Sequence, residues 1–110
     1  MIMNIDAYQL AALKTAVYSH DHEIPYLALA LCGEAGEVAD KVKKVLRDKD
    51  GEFSPGTRHA LAFELGDCLY YLAVLARAIG YSLSEIAEIN NRKVADRMER
   101  GVVQGSGDER

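Results

Sequence analysis

A chain of 110 residues has room for one ordinary domain, so we expect a single domain over residues 1–110. Its hydrophobic content of 49% supports a packed core and excludes a disordered chain. The formal net charge of −4 disfavours nucleic acid as a partner, because a protein that grips a phosphate backbone is usually basic. So small a chain also leaves much apolar surface exposed, which favours a homo-oligomer.

The cysteines and the N-terminus indicate the compartment. Cys32 and Cys68 both lie in apolar helical sequence, and the chain has no CxxC pair. This pattern gives no support to structural zinc or dithiol redox chemistry. The first six residues lack the basic and apolar regions of a signal peptide, and no uninterrupted apolar run is long enough to cross a bilayer. The sequence therefore predicts a cytoplasmic protein without a membrane partner.

The hydrophobic pattern at the start of the chain predicts two helices. The first is predicted over about residues 5–18, where apolar side chains form one broad face. A polar loop follows, and Pro25 marks the next helix start. The second helix is predicted over about residues 26–47, since its apolar positions recur at steps of three and four residues.

Two N-cap signals predict the remaining helices. Ser54 followed by proline predicts a third helix over about residues 55–79. The capping-box pattern at residues 82–85, with Ser first and Glu last, predicts reciprocal bonds to backbone amides and a fourth helix ending near Arg100. The glycine-rich tail, about residues 102–110, is either flexible or closes over a substrate. No β-alternation is present, so we expect an all-α fold, an antiparallel bundle of four main helices.

Four carboxylates recur at one spacing on the second and third helices. Glu34 and Glu37 lie one turn apart on one face, and Glu64 and Asp67 repeat the spacing. Because a turn joins the two helices, they can fold back antiparallel and bring both pairs together. Acids clustered in apolar sequence repel one another unless a cation neutralises them. Oxygen ligands without thiolate favour Mg²⁺, with Mn²⁺ as a substitute.

A simpler interpretation is that these acids form a solvated face paired with lysines. Glu37 and Lys41 have the spacing of an ion pair, whereas Glu64 and Asp67 have no Lys or Arg three or four residues away. Redox iron is disfavoured, because di-iron bundles use Glu-x-x-His motifs and no Glu here is followed by His three residues later.

Three glycines, Gly33, Gly36 and Gly66, lie beside the acids. Glycine inside a helix costs about 1 kcal/mol relative to alanine. Three of them near one site therefore predict either close backbone packing or room for a ligand.

These motifs resemble the MazG-type, all-α nucleoside triphosphate pyrophosphohydrolases. The hallmark of that family is E-x-x-E followed, after a variable gap, by E-x-x-D. Here it is Glu34-Ala35-Gly36-Glu37 and then Glu64-Leu65-Gly66-Asp67, with residues 38–63 between them. The resemblance continues along the fourth helix and through the tail to the last residue, so it covers nearly the whole chain.

The resemblance implies a Mg²⁺-dependent enzyme that hydrolyses (deoxy)nucleoside triphosphates to a nucleoside monophosphate and pyrophosphate, for nucleotide pool control or housecleaning. It implies that Glu34, Glu37, Glu64 and Asp67 bind the metal and are the catalytic residues. One of the four, with a preference for Glu37, would be the general base for the attacking water. It also implies a homodimer or homotetramer whose pockets are built by more than one subunit.

The same resemblance implies that polar residues near the C-terminus bind the substrate. They are Asn90, Lys93, Arg97, Asp108 and Arg110. The alternative is ordinary surface charge on an exposed helix followed by a frayed terminus. The basic residues at the end of the second helix are weaker candidates, because neighbouring aspartates could neutralise them. Tyr8, Phe63, Tyr70 and Tyr71 could stack on a base, although aromatic residues at helical spacing are more often core or interface.

Two other functions stay open at this point. One is a member of the same superfamily that is specific for dUTP or dCTP or that removes phosphate differently. The other is a helical interaction module that keeps the fold without the chemistry, against which the presence of all four acids argues. The preferred base and sugar, and whether substrates are canonical or modified nucleotides, do not follow from the sequence.

Overall fold

The computed structural model describes residues 3–110 and contains four α-helices within them. They are α1 (Ile5–Leu13), α2 (Glu23–Asp48), α3 (Pro55–Ala78) and α4 (Leu83–Arg100). Residues 3–110 contain no β-strand, so the all-α prediction is confirmed. The two longest helices, α2 and α3, pack along each other as an antiparallel hairpin, and α1 and α4 pack against α3 and against each other.

The first helix is shorter than predicted, because it ends at Leu13 rather than near residue 18. The amides of Lys14 and Thr15 donate to carbonyls only three residues back. The Thr15 hydroxyl donates to the Ala12 carbonyl at 3.1 Å and lies 3.0 Å from the Tyr70 hydroxyl. This tighter turn and the competing side-chain bond end the regular α-helix.

The second helix begins at Glu23, earlier than the predicted start at residue 26. Pro25 lies inside its first turn rather than at its border. Amides of the first turn have no partner within a helix, so a proline there removes no hydrogen bond. His22 precedes the helix with a left-handed φ of 57°, which turns the chain into α2.

The two predicted N-caps are present, but the capping box is only half formed. The Ser54 hydroxyl accepts the amide of Thr57 at 3.2 Å, and the Ser82 hydroxyl accepts the amide of Glu85 at 3.1 Å. The Glu85 carboxylate accepts a bond from the Ser82 hydroxyl at 3.1 Å. The predicted return bond to a backbone amide is replaced by this contact between side chains.

The main core lies where α1, the start of α2, the end of α3 and the start of α4 meet. Its buried apolar residues are Ala12, Leu27, Ala73, Val74, Ala76 and Leu83. Gln9 is also buried, and its amide nitrogen donates to the carbonyls of Ala73 at 2.9 Å and Tyr81 at 3.1 Å. Its oxygen accepts the amide of Leu83 at 3.1 Å. One glutamine therefore ties α1 to the connection between α3 and α4.

The third helix leaves a large apolar surface uncovered by its own chain. By length and composition alone, α3 could cross a membrane. Glu64 and Asp67 lie in its middle, however, and carboxylates are costly inside lipid. Phe63 and Leu65, which are 67% and 57% exposed, are part of this surface. The expectation of a protein without a membrane partner stays a prediction.

Candidate metal centre

The hairpin of α2 and α3 brings three of the predicted carboxylates together. Glu34 on α2 and Glu64 and Asp67 on α3 each offer an oxygen that lies within 4.8 Å of the other two. Glu34 and Glu64 are half-buried, and Asp67 is exposed. Their spacing of one turn places Glu64 and Asp67 on the face of α3 that meets α2. We call these three residues the acid cluster; its size and its oxygen donors suit one cation.

Glu37 lies one turn beyond Glu34 on α2, outside the acid cluster. Its side chain is exposed, and within residues 3–110 it forms no ion pair. The structure therefore brings three of the four hallmark acids together and leaves the fourth beside them. A role for Glu37 as a metal ligand or as a general base stays a prediction.

Within the acid cluster, the charged form of Glu34 is disfavoured by its surroundings. Loss of hydration, followed by the charges of Asp67, Glu64 and Glu37, raises the pKa of Glu34 above its ordinary value of 4.5. The Lys41 ammonium lies 3.6 Å from Oε1 of Glu64 and supplies one positive charge. The suggested pairing of Lys41 with Glu37 is wrong, because Lys41 reaches across the hairpin instead of along its own helix.

A cavity of about 300 Å³ opens beside the acid cluster, on the side of α1. Four tyrosines line it, Tyr18, Tyr26, Tyr70 and Tyr71. The rings of Tyr18 and Tyr26 are stacked, with centroids 5.4 Å apart and planes inclined by 24°. Tyr70 and Tyr71 follow Asp67 by three and four residues on α3, so this tyrosine cavity lies about one helical turn from the acid cluster. Burial, with smaller contributions from Tyr26 and Glu34, raises the pKa of Tyr71.

The predicted substrate-binding residues near the C-terminus contact one another. Arg97 is buried, and its guanidinium donates to the backbone carbonyl of Asp108 at 3.0 Å and to the carboxylate at 3.3 Å. The Lys93 ammonium lies 3.4 Å from the same carboxylate. The Arg97 bond, together with Lys93, lowers the pKa of Asp108. Asn90 is exposed on the same helix.

The last residue closes the tail on itself, and its backbone carbonyl accepts a bond from Arg100 of α4 at 2.6 Å. The Arg110 guanidinium donates to the carbonyls of Val102, Val103 and Gly107 at 3.1, 2.8 and 2.6 Å. Gly105 has a φ of 136°, and a Cβ there would lie 3.1 Å from Cδ of Arg110. The tail is therefore folded back over α4, so a frayed terminus does not describe it.

These C-terminal residues lie on α4 and in the tail, whereas the acid cluster lies on α2 and α3. α4 packs against α1 and α3, and among the described residues it makes no close contact with α2. The ion pairs of Lys93 and Arg97 go to Asp108, while Glu64 pairs with Lys41. Substrate binding by Asn90, Lys93, Arg97, Asp108 and Arg110 stays a prediction, and one chain alone does not join them to the acids.

The glycines beside the acids are not explained by packing within the chain. A methyl group added at Gly33, Gly36 or Gly66 would meet no neighbouring atom within 4 Å. Of the two predicted reasons, close packing within one chain is wrong. The glycines instead leave open space along the hairpin, where a ligand or a second chain has room.

The fold and the acid cluster define an all-helical protein whose central hairpin can hold a cation through carboxylate oxygens. The family model described as the MazG nucleotide pyrophosphohydrolase domain matches residues 23–102, so the chain belongs to the MazG family. The match covers α2, α3 and α4, including all four hallmark acids. The resemblance inferred from the motifs is thereby confirmed.

One relative shows that the similarity extends over the whole chain. The chain is 45% identical over 114 residues to the gene 37 protein of Mycobacterium phage L5. The alignment covers 98% of this chain and 100% of the relative, whose name states no activity. No solved structure matches the chain.

Proposed function

We propose that this protein hydrolyses nucleoside triphosphates to a nucleoside monophosphate and pyrophosphate in the presence of Mg²⁺, for nucleotide pool control or housecleaning in the cytoplasm. The observation that carries the proposal is the convergence of Glu34, Glu64 and Asp67 within 4.8 Å in a chain of the MazG family. Mn²⁺ is expected to substitute for Mg²⁺, since both prefer oxygen ligands.

The donor set fits a divalent cation. The charged form of Glu34 is disfavoured beside Glu64 and Asp67, a positive ion would favour it, and Lys41 already places an ammonium against Glu64. When bound, Mg²⁺ supplies charge neutralisation for the phosphate oxygens and a lowered pKa for water. Glu34, Glu64 and Asp67 would hold the ion, and the family resemblance adds Glu37 as a further ligand that doubles as general base.

Glu37 is the preferred general base. Its carboxylate is exposed one turn from the acid cluster and is not engaged by an ion pair within residues 3–110, so it can accept a proton from water. The water oxygen then bonds to the α-phosphorus while the bond from that phosphorus to the bridging oxygen breaks. The electron pair leaves with pyrophosphate, and the proton passes through Glu37 to solvent.

The remaining substrate contacts are assigned by the family resemblance. By that resemblance, Asn90, Lys93, Arg97, Asp108 and Arg110 would bind the nucleotide. The tyrosine cavity, which includes Tyr70 and Tyr71, would receive the base because aromatic rings can stack on it. Since α4 makes no close contact with α2 in one chain, we propose that a second copy completes the pocket in a homodimer or homotetramer. The exposed apolar surface of α3 supports such an assembly.

Product analysis of the purified protein tests the proposal. We expect Mg²⁺-dependent release of monophosphate and pyrophosphate from at least one nucleotide in a panel of canonical and modified triphosphates. Glu64→Gln should lose activity by about a hundredfold or more, since metal-ion stabilisation contributes several kcal/mol and each 1.4 kcal/mol is about tenfold. Glu99→Gln, an equal change on the exposed part of α4, is the control.

Two results would contradict the proposal. Release of diphosphate and orthophosphate would indicate a different bond cleaved, and a panel without any turnover would favour a binding module. A preference for dUTP or dCTP within the panel would instead identify the specificity of the same enzyme.

A further inference from the structure

A second cavity, of about 350 Å³, lies between the C-terminal half of α2 and the first turns of α3. Three lysines line it, Lys41, Lys44 and Lys49, with one carboxylate, Asp48. Asp48 is already bound by Arg47, whose two guanidinium nitrogens lie 2.7 and 2.8 Å from its oxygens. The walls of this basic cavity therefore carry net positive charge, although the chain as a whole is acidic. Such a local excess suits a compact polyanion.

Two of these lysines, Lys44 and Lys49, are exposed, but each has a defined polar partner. Lys49 donates to the hydroxyl of Thr57 at 3.2 Å, and Thr57 is buried at the start of α3. The Lys44 ammonium lies 2.8 Å from one carboxylate oxygen of Asp40. The Lys43 ammonium lies 2.8 Å from the other oxygen, so both lysines pair with the same carboxylate. One carboxylate shared by two lysines leaves positive charge for an anion in the cavity.

The basic cavity adjoins the acid cluster. Lys41 lines the cavity and also lies 3.6 Å from Glu64, so the two sites share a wall. Ala60, another lining residue, precedes Glu64 by one helical turn, about 6 Å along α3. The tyrosine cavity lies on the opposite side of the acids. A triphosphate whose α-phosphate sits at the acid cluster can thus extend its terminal phosphates into the basic cavity.

We propose that the basic cavity binds the pyrophosphate half of the substrate, namely the β- and γ-phosphates before hydrolysis and inorganic pyrophosphate afterwards. This proposal rests on the proposed function and gives the substrate one direction along the hairpin. Negative charge develops on the leaving pyrophosphate as the α-phosphorus bond breaks, and the lysines offset that charge. Neutralisation of Glu64 by a cation frees Lys41 to contribute.

The pair Lys43 and Lys44 provides a matched test. Both contact Asp40 at 2.8 Å, both are exposed, and only Lys44 lines the cavity. Binding of inorganic pyrophosphate to the full chain is measured by calorimetry with Mg²⁺ present. We expect Lys44→Gln and Lys49→Gln to weaken binding by about fivefold or more, as expected for one charged hydrogen bond, and Lys43→Gln to change it less than about twofold. Thermal unfolding verifies that each variant is folded.

The outcomes separate this proposal from the one on which it rests. Equal affinities of the Lys43→Gln and Lys44→Gln variants, or a wild type that does not bind pyrophosphate, would overturn the assignment of the cavity even in an active enzyme. Absence of turnover in the wild type would refute the proposed function, and with it the leaving-group role, even if pyrophosphate binding depends on Lys44. A nucleoside monophosphate should bind the Lys44→Gln variant as tightly as the wild type.

Discussion

Glu34 is the acid-cluster residue on which repulsion acts most clearly. Its carboxylate faces Glu64 and Asp67 across the hairpin, and its pKa is raised by lost hydration and by those neighbours. Without divalent cations we expect Glu34→Gln to melt at a higher temperature than the wild type, because one of three crowded charges is removed. The stabilisation by Mg²⁺ expected of the wild type should largely disappear in this variant.

Thermal unfolding with and without Mg²⁺ measures both effects, and Glu99→Gln on α4 controls for the loss of a surface charge. A variant that melts below the wild type without metal, and that keeps a full Mg²⁺ shift, would show that Glu34 is not part of a cation site.

The raised pKa of Glu34 also predicts a pH dependence. The folded protein holds the Glu34 proton to a higher pH than the unfolded chain, whose pKa is near the ordinary 4.5. Between the pKa of the unfolded chain and the raised pKa of the folded protein, the folded state binds more protons than the unfolded state. The metal-free protein therefore loses stability as pH rises through this window. The loss then persists at neutral pH, where Mg²⁺ should restore stability because its ligands are ionised.

Denaturant unfolding of wild type and Glu34→Gln from pH 4 to pH 7 measures this effect together with its coupling to the neighbouring acids, since the pH dependence of groups that do not interact with Glu34 cancels in the difference. We expect the difference in unfolding free energy, without metal, to move in favour of Glu34→Gln as pH rises. A difference that does not change with pH would contradict the prediction.

At the scale of helices, Gln9 determines how α1 is attached. Its side chain is 5% exposed and bonds to backbone groups of Ala73 in α3, of Tyr81 in the connection that follows, and of Leu83 at the start of α4. Gln9→Ala should destabilise the fold by about 2–3 kcal/mol, because buried amide and carbonyl groups lose their partners. Denaturant unfolding measures the change, and Gln104→Ala in the exposed tail should have almost no effect. An equally small effect at position 9 would mean that apolar packing and the bonds from Ser84 to Asp6 are enough to attach α1.

The helices show what a sequence pattern can and cannot define. Apolar periodicity and the N-cap at Ser54 identified four helices, because these signals act within one segment. The early end of α1 depends on a contact between Thr15 and Tyr70 of a distant helix, which no local pattern contains. The start of α2 was misplaced for another reason, since Pro25 is tolerated anywhere in a first turn.

The candidate site divides in the same way. The turn spacing of Glu34, Glu64 and Asp67 was enough to expect one cluster, because helical geometry and a hairpin bring such positions together. The basic residues at the end of α2 are only weak candidates in the sequence, because Asp40 and Asp48 could neutralise them, and both aspartates do pair with them. The contact of Lys41 with Glu64 and the cavity that gathers three lysines depend on the register of α2 against α3, which the sequence does not give. The spacing along one helix suits a pair of Lys41 with Glu37, whereas the observed pair crosses the hairpin to Glu64. Charge pairs between helices become predictable only once the alignment of the two helices is known.

The whole molecule is more extended than a compact chain of its length. Its radius of gyration is 16.8 Å, whereas about 13 Å is expected for a compact domain of 110 residues. The main core is confined to one end of the hairpin, and large apolar side chains stay exposed on both long helices, among them Leu29 at 74% and Phe63 at 67%. An exposed surface of this kind is typical of a subunit that is completed by another copy.

Phe63 tests whether the hairpin is the surface that joins the copies. It lies on α3 beside the open space at Gly66 and next to Asp67, so a partner bound there would bury both the ring and one edge of the acid cluster. By light scattering after gel filtration, we expect the wild type to have two or four times the mass of one chain, and Phe63→Asp to shift towards the monomer. Activity should fall with the loss of the oligomer, because a buried charge opposes association and the proposed pocket needs residues of α4 from a second copy.

Asn91→Asp adds the same charge at an exposed polar position of α4 and should leave the mass unchanged. A wild type that is monomeric and fully active would refute the shared pocket, and α4 would then have to reach the acid cluster of its own chain.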